Sequence, residues 1–167
     1  TTFKKVIIAA GGTGGHLFPA QALAEDLTQS SCEILFAGAH LSTNRYFSKD
    51  KYRFCDVQSA TVFRRNFKAV FQALISLIKG VRQGWILLTQ ESPDLVVGFG
   101  SFHSFSVLCA AYLKKVPYVL FESNAFPGKV NRLFSKKAVA TAISFPAAAK
   151  ALRGNLVDVQ MPVRCAS

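Results

Sequence analysis

Short continuous apolar runs separated by longer stretches of helical spacing organise this chain. Residues 6–10 (VIIAA) form an uninterrupted apolar run of strand length, and an alanine-rich segment from residue 17 or 19 to 29 has helical character. The same alternation continues with apolar runs at 32–37 (CEILFA) and, more weakly, at 52–58 (YRFCDVQ), which predict strands two and three. A short helix is expected over 43–50. Between 67 and 90, apolar residues at 67, 70, 71, 74, 75, 77, 78 and 81 recur at helical spacing, with Gly80 and Gly84 as expected points of kinking or interruption. Residues 91–94 (ESPD) break this helix, and LVVG at 95–98 predicts strand four. A helix over 104–114, a strand over 118–121, a short helix from Pro127-Gly128 to about 135 and a strand over 138–141 follow. A small helix at 146–152 and a last strand at 157–160 complete the pattern. Strand and helix alternating in this way predict an α/β protein, a Rossmann-like doubly wound parallel sheet of order 3-2-1-4-5-6.

The turns carry the candidate chemistry. Between the first strand and first helix lie Gly11, Gly12, Thr13, Gly14, Gly15 and His16, four glycines in five residues with a histidine behind them. Glycines can serve turn geometry alone, or let backbone N–H groups at a helix N-terminus close around an anion. In the predicted order, strands one and four are neighbours, so this turn should lie beside the turn at 98–104 (GFGSFHS), with Glu122 and Asn124 next along the same edge. His16 could act as a general base, a phosphate donor or a structural hydrogen-bonder. Glu122 could act as a base, accept hydrogen bonds from substrate hydroxyls, or hold a neighbouring turn. Asn124, before Ala-Phe-Pro-Gly, reads as a loop-shaping or ligand-orienting residue. His103 reads as a residue at a helix start, and His40 has the weakest functional claim. The motif lacks the GK[ST] ending of a P-loop, its GxGxxG fit fails at Leu17, and no acid follows strand two, which disfavours a nicotinamide dehydrogenase.

Charge adds a partner. The 167 residues carry 20 basic and 9 acidic side chains, a formal charge of +11, which favours a phosphorylated substrate, an anionic membrane or nucleic acid. No nucleic-acid recognition motif accompanies the charge. In the 63–82 region, Phe63, Phe67, Phe71 and Ile75 interleave with Arg64, Arg65, Lys68, Lys79 and Arg82, a composition suited to an anionic membrane surface if the aromatics are exposed and to a sheet-covering helix if they are not. No run of about 20 apolar residues is present. The four scattered cysteines have no metal-ligand spacing and read as reduced thiols of a cytoplasmic protein; no metal or cofactor is expected.

With these residues assembled, the chain resembles the amino-terminal half of the MurG family of bacterial glycosyltransferases over essentially its whole length. The resemblance rests on AGGTGGHLFPAQALA at 10–24, GFGSFHS at 98–104, FESNAFPGKVNRLFSKKA at 121–138 and the terminal MPVR at 161–164. It implies the amino-terminal half of a GT-B fold, an inverting hexosyltransferase without cofactor or metal. The reaction implied is transfer of N-acetylglucosamine from UDP-N-acetylglucosamine to undecaprenyl-diphospho-muramoylpentapeptide. Gly11, Gly12, Thr13, Gly14, Gly15, Gly100, Ser101, Phe102, Ser104, Asn124 and Arg164 would hold the acceptor and its diphosphate. His16 first, and Glu122 second, would take the proton of the attacking C4 hydroxyl as UDP leaves with inversion. The apolar and basic 63–82 region would dock on the cytoplasmic face of the inner membrane as a peripheral protein. The donor is expected to sit mainly in a carboxyl-terminal domain absent from this chain, leaving the single domain inactive alone. Ser101 stands where the family usually has the second glycine of GGY, a change expected to tighten the second loop. Another GT-B transferase with a different acceptor, a non-catalytic anion-binding module and a membrane-peripheral interaction domain are the alternatives.

Overall fold

The structure, a computed structural model, describes residues 3–60 and 66–160. Its frame is a parallel sheet of seven strands in the order β3-β2-β1-β4-β5-β6-β7. The strands are β1 (Lys5–Ala9), β2 (Glu33–Gly38), β3 (Arg53–Asp56), β4 (Leu95–Gly98), β5 (Tyr118–Glu122), β6 (Ala140–Ile143) and β7 (Leu156–Asp158). The predicted order is therefore observed, and the expected last strand, found at Leu156–Asp158, pairs with β6 at the edge.

The continuous apolar run of β1 follows from its central place. Val6 and Ile8 face one side of the sheet and Ile7 and Ala9 the other, and all four are fully buried because both sides are covered. On the first side, helix α1 (Gly14–Gln29) supplies Leu17, Ala20 and Ala24, which meet Phe36, Phe47, Tyr52 and Val97. On the second, helices α2 (Phe67–Glu91), α3 (Phe105–Lys114) and α4 (Lys129–Phe134) supply Leu87, Leu88, Val107, Leu108, Val130 and Phe134 over Ile7, Leu35, Val96 and Leu120. Because α1 follows β1 onto one face and α3 follows β4 onto the other, a crevice opens between the carboxyl ends of these adjacent strands. Beyond α1, the first face of β4 to β7 presents an apolar groove of about 430 Å³ lined by Val97, Phe99, Val119, Phe121, Ala142 and Val157.

Three expectations need correction. Helix α1 begins at Gly14, inside the glycine motif, rather than at residue 17 or 19. Residues 43–50 form turns, not a helix. Side chains there satisfy the backbone groups that a helix would pair internally: Gln21 donates to Tyr46 O and accepts from Ser48 N–H, and Asn44 Oδ1 accepts from Tyr46 N–H. Finally, α2 runs without interruption through Gly80 and Gly84. A Cβ at residue 80 would lie 1.7 Å from Gln58 O and 2.5 Å from Ser106 Oγ, so the missing side chain is what lets α2 lie so close to α3 and the strand-three exit.

Candidate functional site

The first turn owes its shape to Gly12, at φ +86°, a left-handed conformation that glycine adopts without strain. The Gly12 carbonyl accepts from Asn44 Nδ2 at 2.7 Å, which ties the turn to the 39–44 segment. Thr13 occupies the N-cap position of α1 with extended backbone, but its hydroxyl makes no cap; it lies 3.2 Å from His16 Nδ1 instead. Thr13 O accepts from the N–H groups of His16 and Leu17, both at 3.1 Å. Among the described residues, no acceptor meets the N–H of Gly14 or Gly15, and the first turn of α1 carries no acidic side chain. These donors and the positive end of a 16-residue helix face the sheet edge, an arrangement that favours an anion.

The second turn lies against the first. Ala9 pairs with Gly98, and Phe99 N–H donates to Ala9 O at 3.0 Å. The His103 side chain packs on the first turn, so closely that a Cβ at Gly11 would sit 2.6 Å from His103 Cβ and one at Gly12 3.0 Å from His103 Nδ1. The His103 carbonyl accepts from Ala39 N–H at 3.1 Å. Ser101 Oγ is 2.8 Å from His103 Nδ1, whereas Ser104 is fully buried and donates its hydroxyl to Gly100 O and Ser101 O. Ser104 thus builds its own loop. Phe102 turns away from the glycines and lines an apolar cavity of about 280 Å³ with Leu77, Phe105, Val130 and Leu133.

At the exit of β5, Glu122 is only 3% exposed. Its Oε1 accepts from Asn124 N–H at 2.9 Å and Asn124 Nδ2 at 3.0 Å; its Oε2 accepts from Gly128 N–H at 3.2 Å and Asn131 Nδ2 at 2.9 Å. Four donors on two oxygens bind this carboxylate into its own turn, with Asn124 held in the same turn. Its charge still reaches His16. Burial holds the His16 imidazole below its ordinary value of 6.5, and the Glu122 carboxylate acts in the opposite direction. His103 is also held low, first by burial and then by the nearby charges of His40 and His16. The exposed His40 places its ring centroid 6.3 Å from that of His103, so all three histidines of the chain gather at this edge.

The second candidate region separates into two faces. The buried side of α2 is made of Ala73, Gly80, Gly84, Leu87 and Leu88. The large apolar residues of its first half point outward: Phe67 is 87% exposed and Ile78 69%, with Phe71, Leu74 and Ile75 also exposed, and Lys68, Lys79 and Arg82 accompany them. Phe63, Arg64, Arg65 and Arg164 lie outside the described residues. No helix of the described residues is long and apolar enough to cross a membrane, and no group of three or more His, Cys, Asp or Glu among them could hold a metal ion.

Sequence reasoning passed over Asn44, Asn131 and the contact made by His103. The predicted adjacency of strands one and four could have exposed His103, because it brings that loop beside the glycines. Asn44 carried no such signal, sitting in a stretch read as helix.

Comparison with known proteins places this geometry. Residues 6–143 match the glycosyltransferase family 28 N-terminal domain. A Protochlamydia amoebophila protein, "UDP-N-acetylglucosamine--N-acetylmuramyl-(pentapeptide) pyrophosphoryl-undecaprenol N-acetylglucosamine transferase", is 40% identical over 163 residues, covering 96% of this chain and 43% of the relative. The protein of the same description from Chlamydia trachomatis serovar L2 is 34% identical over 162 residues, covering 96% and 46%. The crystal structure of MurG from Acinetobacter baumannii superposes with a TM-score of 0.79 at 25% identity, covering 96% of this chain and 46% of that one. The chain spans less than half the length of these relatives.

Proposed function

Because the chain belongs to the family of the glycosyltransferase family 28 N-terminal domain, we propose that it is the acceptor-binding half of an inverting GT-B transferase. The reaction is transfer of N-acetylglucosamine from UDP-N-acetylglucosamine to undecaprenyl-diphospho-muramoylpentapeptide, in keeping with the printed descriptions of its relatives. The observation that carries this reading is the pair of contiguous glycine turns, with the Gly14 and Gly15 N–H groups at the start of α1 unpaired among the described residues. They offer backbone donors and a helix dipole to the acceptor diphosphate without requiring a side-chain cation. Gly11, Gly12, Thr13, Gly100 and Ser101 form the walls of that cradle.

His16 is the base. Its burial favours the neutral imidazole near neutral pH, the form able to accept a proton from the sugar C4 hydroxyl as it attacks the anomeric carbon of the donor. The carboxylate of Glu122 favours the imidazolium that this transfer creates. UDP leaves with inversion, and no covalent intermediate on the enzyme is required. The donor nucleotide is held mainly by the remaining half of a two-domain enzyme, so the single domain does not turn over.

The outward stripe of Phe67, Phe71, Ile75 and Ile78, flanked by Lys68, Lys79 and Arg82, rests on the anionic cytoplasmic face of the inner membrane and brings the cradle to a lipid-linked substrate. Each such side chain withdrawn from water contributes about 1.5–3 kcal/mol. Two measurements test the proposal. A two-domain enzyme carrying this domain should transfer labelled N-acetylglucosamine to a short-chain lipid I analogue, and absence of transfer refutes the activity. The domain should co-sediment with vesicles rich in phosphatidylglycerol and lose that binding on Phe67→Ser with Phe71→Ser; sedimentation unaffected by the double change refutes the membrane face.

A further inference from the structure

Ser101 has φ +70° and ψ 151°, a backbone conformation nearly confined to glycine, and among the described residues its side chain bonds to His103 alone. Its Oγ accepts from His103 N–H at 3.3 Å and lies 2.8 Å from His103 Nδ1. With the backbone N–H already donating to Oγ, the serine proton is free to point at Nδ1. The neutral ring then carries its own proton on Nε2. The ring is further confined by the first turn, with Gly11 and Gly12 packed on its Cβ, Cγ, Nδ1 and Cε1 atoms. A glycine at either position leaves room for the imidazole; any larger residue would displace it.

We propose that Ser101 and His103 form a second donor unit of the anion site. His103 contributes its Nε2–H to a phosphate oxygen, and Ser101 is the positioning residue that sets the tautomer and orientation of the ring. The unit joins the two turns, since its hydroxyl belongs to one and its ring lies on the other. Burial and the charges of His16 and His40 keep His103 neutral before a ligand arrives, so the free site avoids three mutually repelling imidazolium groups. A phosphate oxygen then accepts from the neutral ring, and its charge makes the Nε2–H bond a charge-assisted one. The serine is then a local strain retained for function: it disfavours the loop backbone and fixes a ligand-binding ring.

This inference rests on the reading of the turns as a diphosphate cradle, and its test separates the two. Inorganic pyrophosphate is titrated into the wild-type chain and into Ser101→Gly, Ser101→Ala and His103→Ala, alongside thermal melts and imidazole nitrogen NMR. The wild type should bind, with His103 in the Nε2–H tautomer. Loss of the hydrogen bond or of the ring should weaken binding about tenfold in each variant. Ser101→Gly should melt no lower than wild type, because it removes the strained side chain, and its His103 ring should show both tautomers. Ser101→Ala keeps the strain, loses the bond and should melt lower. Undiminished binding by His103→Ala and Ser101→Gly overturns the donor unit while leaving the cradle standing. Absence of binding by folded wild type overturns the cradle and the unit together.

Discussion

The turn after β1 and the turn after β5 leave the sheet on the same edge, yet they dispose of their polar groups in opposite ways. After β1, the Gly14 and Gly15 N–H groups have no acceptor among the described residues and the Thr13 hydroxyl meets a histidine ring rather than the backbone. After β5, every oxygen of Glu122 is engaged and the carboxylate is buried under its own loop. A polar turn that satisfies itself is part of the scaffold. One that leaves helix-terminal donors open at a crevice keeps them available to an anion. On the proposed reading, the difference gives separate roles to two residues that sequence alone placed side by side as candidate bases.

That contrast breaks if the two residues respond alike. In a two-domain enzyme carrying this domain, His16→Ala should lower kcat by about 10²–10⁴. The same change should move urea-unfolding stability by less than about 1 kcal/mol. Glu122→Ala should do the reverse in kind: it leaves four donors without their acceptor and should cost about 3 kcal/mol or more of stability. A Glu122→Ala domain as stable as wild type would place the carboxylate in the chemistry rather than the scaffold.

Acid titration sharpens the comparison at smaller scale. His16 and His103 have folded values below the ordinary 6.5, so the unfolded chain binds protons first as pH falls. Stability is therefore full above about 6.5 and declines as pH falls through the lowered folded values. Unfolding midpoints at pH 7.5 and 5.5 should show this loss, and His103→Gln should reduce it. A slope unchanged by His103→Gln would remove that residue from the linkage. The smallest effect is the coupling itself: Glu122→Gln removes the charge that raises the His16 value, so the His16 resonances should titrate lower than in wild type. An upward shift would contradict the coupling.

The contrast also marks how far the sequence could be read. Strand order was legible because strands buried on both faces are written as continuous apolar runs, as in residues 6–10 and 95–98. The meeting of the two glycine turns followed from that order alone. Which groups stay open was not legible, because it depends on partners outside the turn itself, such as Asn131 on Glu122 and Asn44 on Gly12. The start of α1 was placed too late, because glycine is a poor helix former and only the tertiary setting makes Gly14 and Gly15 helical. The orientation of α2 was undetermined for a related reason. Periodicity marks large apolar residues as inward, but here Ala73, Gly80 and Gly84 form the close-packed side and Phe67, Phe71 and Ile78 face out.

On the proposed reading, the turn after β1, with its partner after β4, seats a prenyl-linked diphosphate. Amide NMR of the chain during titration with geranyl diphosphate tests it most directly. Saturable shifts centred on Gly12, Gly14, Gly15, His16, Gly100 and Ser101 are expected, with the Glu122 turn moving far less. Saturable shifts centred elsewhere, or none at these amides, would contradict it.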